Sequence, residues 1–167
     1  QVVQSLRYRA SVNANYSITG KTRVRGGVTF AATEYSTEGY SDQSSITVPV
    51  QVHYEVTPRT DLRVGYTYRA TFIADNPENN SQDYTPSVGV RREITPTLSG
   101  DLNVGLTKRE LSIGDTGYIV PVNGTLTWVA SPRMIYSAYA RRDFGSSALA
   151  GRSYLQSLVG LRLNYNI

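Results

Sequence analysis

The sequence predicts an all-β protein, an antiparallel up-and-down transmembrane β-barrel with about nine long strands in this chain. Three observations predict it. Tight-turn signals recur as Thr19-Gly20-Lys21-Thr22, Thr57-Pro58-Arg59-Thr60, Thr95-Pro96-Thr97-Leu98 and Ser131-Pro132-Arg133-Met134, with offsets of 38, 38 and 36 between their first residues. Proline presets φ for a turn corner, and glycine permits φ > 0. A second polar break lies between each pair of turns, which leaves runs of roughly 13 to 16 residues where strands of water-soluble proteins usually hold about five or six. Within the runs, apolar residues alternate with polar ones. Long strands, tight turns at one end and longer polar loops at the other are the pattern of a barrel that crosses a membrane.

In chain order the strands are expected near 5–19, 22–35, 44–56, 61–74, 82–95, 98–112, 118–130, 134–146 and 153–167. In the first, Ala10, Val12, Ala14, Tyr16 and Ile18 oppose Arg9, Ser11, Asn13, Asn15 and Ser17. The second places Arg23 and Arg25 on the polar face and carries Gly26-Gly27 inside the strand, where glycine marks a bend or close packing. In the third, Val48, Val50, Val52, Tyr54 and Val56 oppose Pro49, Gln51, His53 and Glu55. In the fourth, Leu62, Val64, Tyr66, Tyr68, Ala70 and Phe72 oppose Arg63, Gly65, Thr67, Arg69 and Thr71. The fifth carries Arg91 on its polar side. In the sixth, Leu102, Val104 and Leu106 oppose Asp101, Asn103, Thr107 and Arg109. In the seventh, Val122, Leu126, Trp128 and Ala130 oppose Asn123, Thr125 and Thr127. The eighth leaves its sides unassigned, because Met134, Tyr136, Ala138 and Ala140 compete with Ile135, Ser137 and Tyr139. In the ninth, Val159, Leu161, Leu163, Tyr165 and Ile167 alternate to the last residue. A period of two sustained this long does not fit a helix.

The bulk numbers agree. A chain of 167 residues with 40% apolar content is read as a single domain over 1–167. No window approaches 18 consecutive apolar residues, so a transmembrane helix is excluded. The mean hydropathy of −0.32 is compatible with a barrel, whose wall needs only every second residue apolar. No N-terminal stretch pairs a charged start with an apolar run, so an exported chain has its signal peptide removed or omitted. Cysteine is absent, which excludes a disulfide framework and a thiolate metal site. The net charge of +4 comes from 15 arginines and 2 lysines against 13 acids. The arginines are spread one or two per strand rather than gathered in a stripe, which argues against nucleic-acid binding.

Alternation alone does not separate a membrane barrel from a soluble β-repeat protein; aromatic placement does. Tyr16, Tyr54 and Trp128 each fall three residues before a turn, and Tyr165 lies two from the chain end, all on the apolar face. A belt of amphipathic aromatics at one height suits a membrane interface. Arg92 takes the equivalent position in the fifth strand, where it can snorkel. The tight turns and the C-terminus are therefore expected on one rim, and the loops 36–43, 75–81, 113–117 and 147–152 on the other.

The alternation ending in Tyr165 and Ile167 resembles the C-terminal recognition signal of bacterial outer-membrane proteins, with Ile167 where those prefer an aromatic. The segments Thr57-Pro58-Arg59-Thr60-Asp61-Leu62-Arg63-Val64-Gly65-Tyr66, Leu98-Ser99-Gly100-Asp101-Leu102-Asn103-Val104-Gly105-Leu106 and Leu126-Thr127-Trp128-Val129-Ala130-Ser131-Pro132-Arg133 carry a second likeness. They resemble the outer-membrane β-barrel porins of exopolysaccharide-biosynthesis operons in Gram-negative bacteria, over about residues 55–167. That resemblance implies location in the bacterial outer membrane, contact with lipid and lipopolysaccharide, and a role with other export-system proteins in passing an anionic saccharide or other anionic solute. Members of that family are considerably longer than this chain. Nine strands also cannot close antiparallel, since the first and last would run the same way. The chain is therefore expected to be the C-terminal part of a larger barrel, incomplete on its N-terminal side.

No catalytic constellation is visible, so the chain is read as a non-enzyme without cofactor or metal. His53 is the only histidine and is expected to be a hydrogen-bonding wall residue. Arg23, Arg25, Arg63, Arg69, Arg91 and Arg109, with Glu55, are the expected pore lining; Arg9 and Arg162 share their face. In a wide barrel such a face favours anions. In a narrow one the same charges pair and plug the interior, which makes the barrel a structural anchor with binding loops. The acids near the loops, Asp83 and Asp143 among them, are expected to be solvated.

Overall fold

The computed structural model describes residues 4–36, 41–74, 77–113, 116–146 and 153–165. The strands are β1 (Ser5–Ser17), β2 (Thr22–Tyr35), β3 (Gln43–Thr57), β4 (Thr60–Ile73), β5 (Ser81–Thr95), β6 (Leu98–Gly105), β7 (Thr107–Leu111), β8 (Gly117–Ile119), β9 (Val122–Ser131), β10 (Met134–Ser146) and β11 (Ser153–Tyr165). One sheet holds them all in the order β1-β2-β3-β4-β5-β6-β9-β10-β11, with β7 beside β5 and β8 beside β7. Every pairing is antiparallel. This is an up-and-down β-barrel wall. The helical content among the described residues is the three-residue turn Pro77–Asn79.

The expected nine runs are all present, but the sixth is interrupted between β6 and β7 and the seventh between β8 and β9. Register survives the interruption: Val104 pairs with Val122 and Thr107 with Ile119, so the two sides advance in step. The missing rung falls at Pro121, which has no N–H to donate. Its carbonyl still accepts from Gly105 N–H at 3.0 Å. Pro49 acts alike between β2 and β3, where pairing skips from Gly26–Val50 to Thr29–Thr47 without a shift. Each proline removes a rung and leaves the alternation intact.

The four turns share one chemical device. Thr19 Oγ1 accepts from Thr22 N–H at 3.0 Å, Thr57 Oγ1 from Arg59 N–H at 3.3 Å, Thr95 Oγ1 from Leu98 N–H at 3.0 Å, and Ser131 Oγ from Arg133 N–H at 3.3 Å. A hydroxyl that folds back onto the backbone stabilises the reversal, which explains why each turn opens on Ser or Thr. The meander places all four turns on one rim, and Tyr165 joins them there opposite Met134.

The burial pattern is inverted. Among the described residues the buried apolar ones are only Ala70, Ile73 and Ile119. The buried polar ones are His53, Thr71, Ser81, Asp83, Thr107 and Arg109. Val12, Val64, Val88 and Leu161 are exposed on the opposite face. A water-soluble protein does the reverse. The sides of β10 are now settled. Tyr136 faces outward and stacks on Trp128, ring centroids 5.4 Å apart. Tyr139 faces inward over Gly160, which packs so tightly against that ring that a Cβ there would collide with it.

The sheet does not close on itself among the described residues: β1 and β11 are its two edges. β1 is exposed on both faces along its whole length. The two edge strands run in the same direction.

Candidate functional site

The inner face carries two bands of charge separated by small and neutral residues. Cross-strand rows explain the separation. Gln51, Gly65 and Ser87 lie opposite one another across β3, β4 and β5, and Pro49, Thr67 and Thr85 form the next row. Thr85 and Thr107 hydroxyls bond at 2.7 Å, so even this band is satisfied by its own members.

The turn-side band is built on the sequence repeat. Arg23 Nη2 donates to Asp61 Oδ2 at 3.1 Å, and Arg63 Nη1 donates to Asp101 Oδ2 at 3.1 Å. A second Arg63 contact, from Nη2, goes to Asp101 Oδ1. Both pairs join residues 38 apart, the offset between successive turns, and each guanidinium crosses one intervening strand. Arg63 can do so because Gly89 lies beneath it. A Cβ there would stand 2.9 Å from its guanidinium and 2.7 Å from Asn103 Oδ1. His53, only 5% exposed, brings Nδ1 to 3.0 Å from Asp61 Oδ1. His53 Nε2 and Arg63 Nε are buried without a hydrogen-bond partner. A buried polar atom left unpaired destabilises by about 1–3 kcal/mol.

Beside these residues is a cavity of about 240 Å³, lined by Arg23, Arg25, Arg59, Arg63, Arg91, His53, Glu55, Asp61 and Glu93 together with turn residues 57, 58 and 60. Among the described residues Arg25, Arg59 and Arg91 form no ion pair. Arg91 lies in register between Asp61 and Asp101, but both carboxylates already hold other cations.

The loop-side band is a continuous chain of ion pairs. Arg109 Nε and Nη2 donate to Asp83 Oδ1 and Oδ2 at 2.6 and 2.7 Å. Arg69 Nη1 lies 3.9 Å from Asp83, and its Nη2 lies 3.5 Å from Asp143, which Arg141 holds at 3.2 Å.

Of the expected pore-lining set, Arg23, Arg25, Arg63, Arg91 and Glu55 come together around the turn-side cavity. Arg69 belongs to the loop-side band. Arg109 is corrected: it is 3% exposed and locked to Asp83, so it lines no open surface. Asp83 and Asp143 are also corrected, from solvated loop residues to interior ion-pair partners. Their nearness to loops in sequence hid this. Asp61 went unnoticed, although its position 38 residues after Arg23 marks it. The aromatics Tyr16, Tyr54, Trp128 and Tyr165 are all exposed on the outer face, each within two rungs of a tight turn. Arg92 is exposed at the turn end of β5, opposite Thr60 and Gly100. No cluster of three His, Asp or Glu side chains suited to a metal ion occurs among the described residues.

No protein-family model and no curated protein matches the chain. Among solved structures it is similar to the translocator domain of the autotransporter NalP from Neisseria meningitidis, with a TM-score of 0.51 and 11% identity, over 99% of this chain and 72% of that one. At that identity the likeness shows the fold alone.

Proposed function

We propose that this chain is part of the wall of a bacterial outer-membrane β-barrel pore whose interior favours anionic solutes, an anionic saccharide of a polysaccharide export system among them. The inverted burial carries the reading. An apolar, aromatic-edged outer face fits hydrocarbon and lipopolysaccharide, and an inner face on which Arg25 and Arg91 form no ion pair among the described residues fits water and anions. Hydrocarbon tolerates no unpaired sheet edge, and two edge strands running the same way need an odd number of further strands for antiparallel closure. A total of roughly 16 or more would leave a water-filled lumen. Those strands close the gap between the β1 and β11 edges, and export-system proteins are the partners in the membrane.

Reconstitution into planar bilayers tests this. Stable ohmic steps with anion preference are expected, and Arg25→Glu with Arg91→Glu should move the reversal potential toward cations. Material that stays soluble without detergent would overturn the membrane reading. The chain of ion pairs from Arg109 to Arg141 favours a second reading, a plugged barrel acting as anchor or scaffold. Silence at high protein load would select it.

A further inference from the structure

We propose that the outer face of the wall holds one anionic phospholipid in a fixed place, with an acyl chain in an apolar trough across β6, β9 and β10 and the lipid phosphate on Arg92. The inference rests on the membrane reading and not on conduction. The trough has a volume of about 630 Å³ and reaches from Val90 on β5 to Val159 on β11. Gly100, Gly124, Ala138 and Ala140 lie in it and project one methyl group or none. Cross-strand pairing gathers them: Gly124 lies opposite Ala140, and Leu126 opposite both Gly100 and Ala138. An unfilled hollow forfeits the dispersion contacts of its lining. On the lipid side of a barrel wall, hydrocarbon is what fills it.

Arg92 fixes what the chain is attached to. It lines the trough at the turn end of β5, exposed, and Gly100 opposite it has no side chain to cover it. It forms no ion pair among the described residues. A planar guanidinium suits a phosphate, which it grips with two N–H groups. The four turn tips on the same rim carry Lys21, Arg59 and Arg133 and no acid. The acids at that depth, Glu55, Asp61, Glu93 and Asp101, face the interior. A second copy inserted the same way would therefore bring its own basic rim to Arg92 and no carboxylate. An anionic headgroup complements both the arginine and the rim.

The test uses the full natural polypeptide in phosphatidylcholine vesicles that contain a minor share of lipid brominated on its acyl chains near the headgroup. Bromine quenches tryptophan at contact, and Trp128 follows the trough residue Leu126 on the same face of β9. Subtracting the signal of Trp128→Phe isolates it. Brominated phosphatidylglycerol should quench Trp128 with an apparent affinity about fivefold that of brominated phosphatidylcholine, the worth of one arginine at an anionic headgroup. Arg92→Gln should remove the preference. Gly124→Leu keeps every charge and fills the hollow; a Cβ there meets Leu102 Cδ1 at 3.6 Å, an ordinary contact, so this variant should fold and lose the preference too. A preference that survives Gly124→Leu belongs to the basic rim at large and overturns the site. Equal quenching by the two lipids in the unaltered protein overturns it even if a variant fails to fold, and leaves the membrane reading standing. Quenching by both lipids that emerges only as the protein is diluted in the bilayer gives the trough to a second copy instead. No quenching by either lipid at any dilution sinks the membrane reading and the proposal with it.

Discussion

Asp83→Asn should unfold the barrel far more readily than its size suggests. The Asp83 carboxylate accepts two hydrogen bonds from Arg109 at 2.6 and 2.7 Å, and both residues are 3% exposed. The amide keeps the shape and removes the charge, leaving the Arg109 guanidinium without its carboxylate in a site that water does not reach. Removing one partner of a buried ion pair destabilises by about 3–5 kcal/mol. Arg69, 3.9 Å from the same carboxylate, loses a weaker attraction as well. At a urea slope near 2 kcal/mol/M, the midpoint in lipid vesicles should fall by about 1.5–2.5 M. Replacing the pair together, Asp83→Leu with Arg109→Met, should recover much of the loss, since no charge is then left buried. Lys108→Ala is the contrast: its pair with Glu110 is half exposed on both sides, so the midpoint should not move. An Asp83→Asn midpoint indistinguishable from that of Lys108→Ala would refute the buried-pair argument.

Three further outcomes are expected. Gly89→Val should push Arg63 off Asp101 and weaken the fold by about 1–3 kcal/mol, whereas Gly100→Ala, whose nearest neighbours are side chains 3.7 Å away, should be silent in the same urea titration. Trp128 is the only tryptophan, so its fluorescence in vesicles reports one depth. Nitroxide lipids labelled near the headgroup should quench it more than chain-end labels, and free access by aqueous iodide would contradict the aromatic belt. Ser131→Ala removes the hydroxyl that accepts from Arg133 N–H and should lower stability by about 0.5–1 kcal/mol, with the β9–β10 register unchanged by amide exchange.

Most of the wall could be read from the residues because both of its determinants are local. Alternation sets the faces, and turns that open on Ser or Thr followed by Pro or Gly set the reversals, so the strand ends fall within about two residues of expectation. The rungs lost at Pro49 and Pro121 escape a hydropathy pattern, which does not see N–H donors. The sides of β10 escape it because Ala138 and Ala140 are small while the inward Tyr139 is large, and only the hole at Gly160 shows where that ring goes. At the site, the arginine face was legible and its partners were not. Whether Arg109 meets water or Asp83 depends on a residue 26 positions away across a loop. The offset of 38 did hold part of the answer, since it joins Arg23 to Asp61 and Arg63 to Asp101.

The loop-side band decides between pore and plug. Arg69 on β4 lies 3.5 Å from Asp143 on β10. Four strand spacings separate β4 from β10 along the sheet, about 19 Å if it were flat at 4.8 Å each. Contact therefore requires the sheet to curl until the two inner faces confront each other. Arg109, Asp83, Arg69, Asp143 and Arg141 then span the concave side as one strap. Arg69→Glu would set a third carboxylate against Asp83 and Asp143, so it should lower the urea midpoint before it says anything about selectivity. Arg69→Gln with Asp143→Asn removes the crossing pair without adding charge. If ions pass this strap, single-channel conductance should rise while the anion preference stays, because Arg25 and Arg91 are untouched at the other end. If the strap is a plug, a silent barrel should begin to conduct. A lower urea midpoint with unchanged conductance would place the strap outside the conducting path, and the narrowing of the interior would have to lie at the turn-side cavity instead.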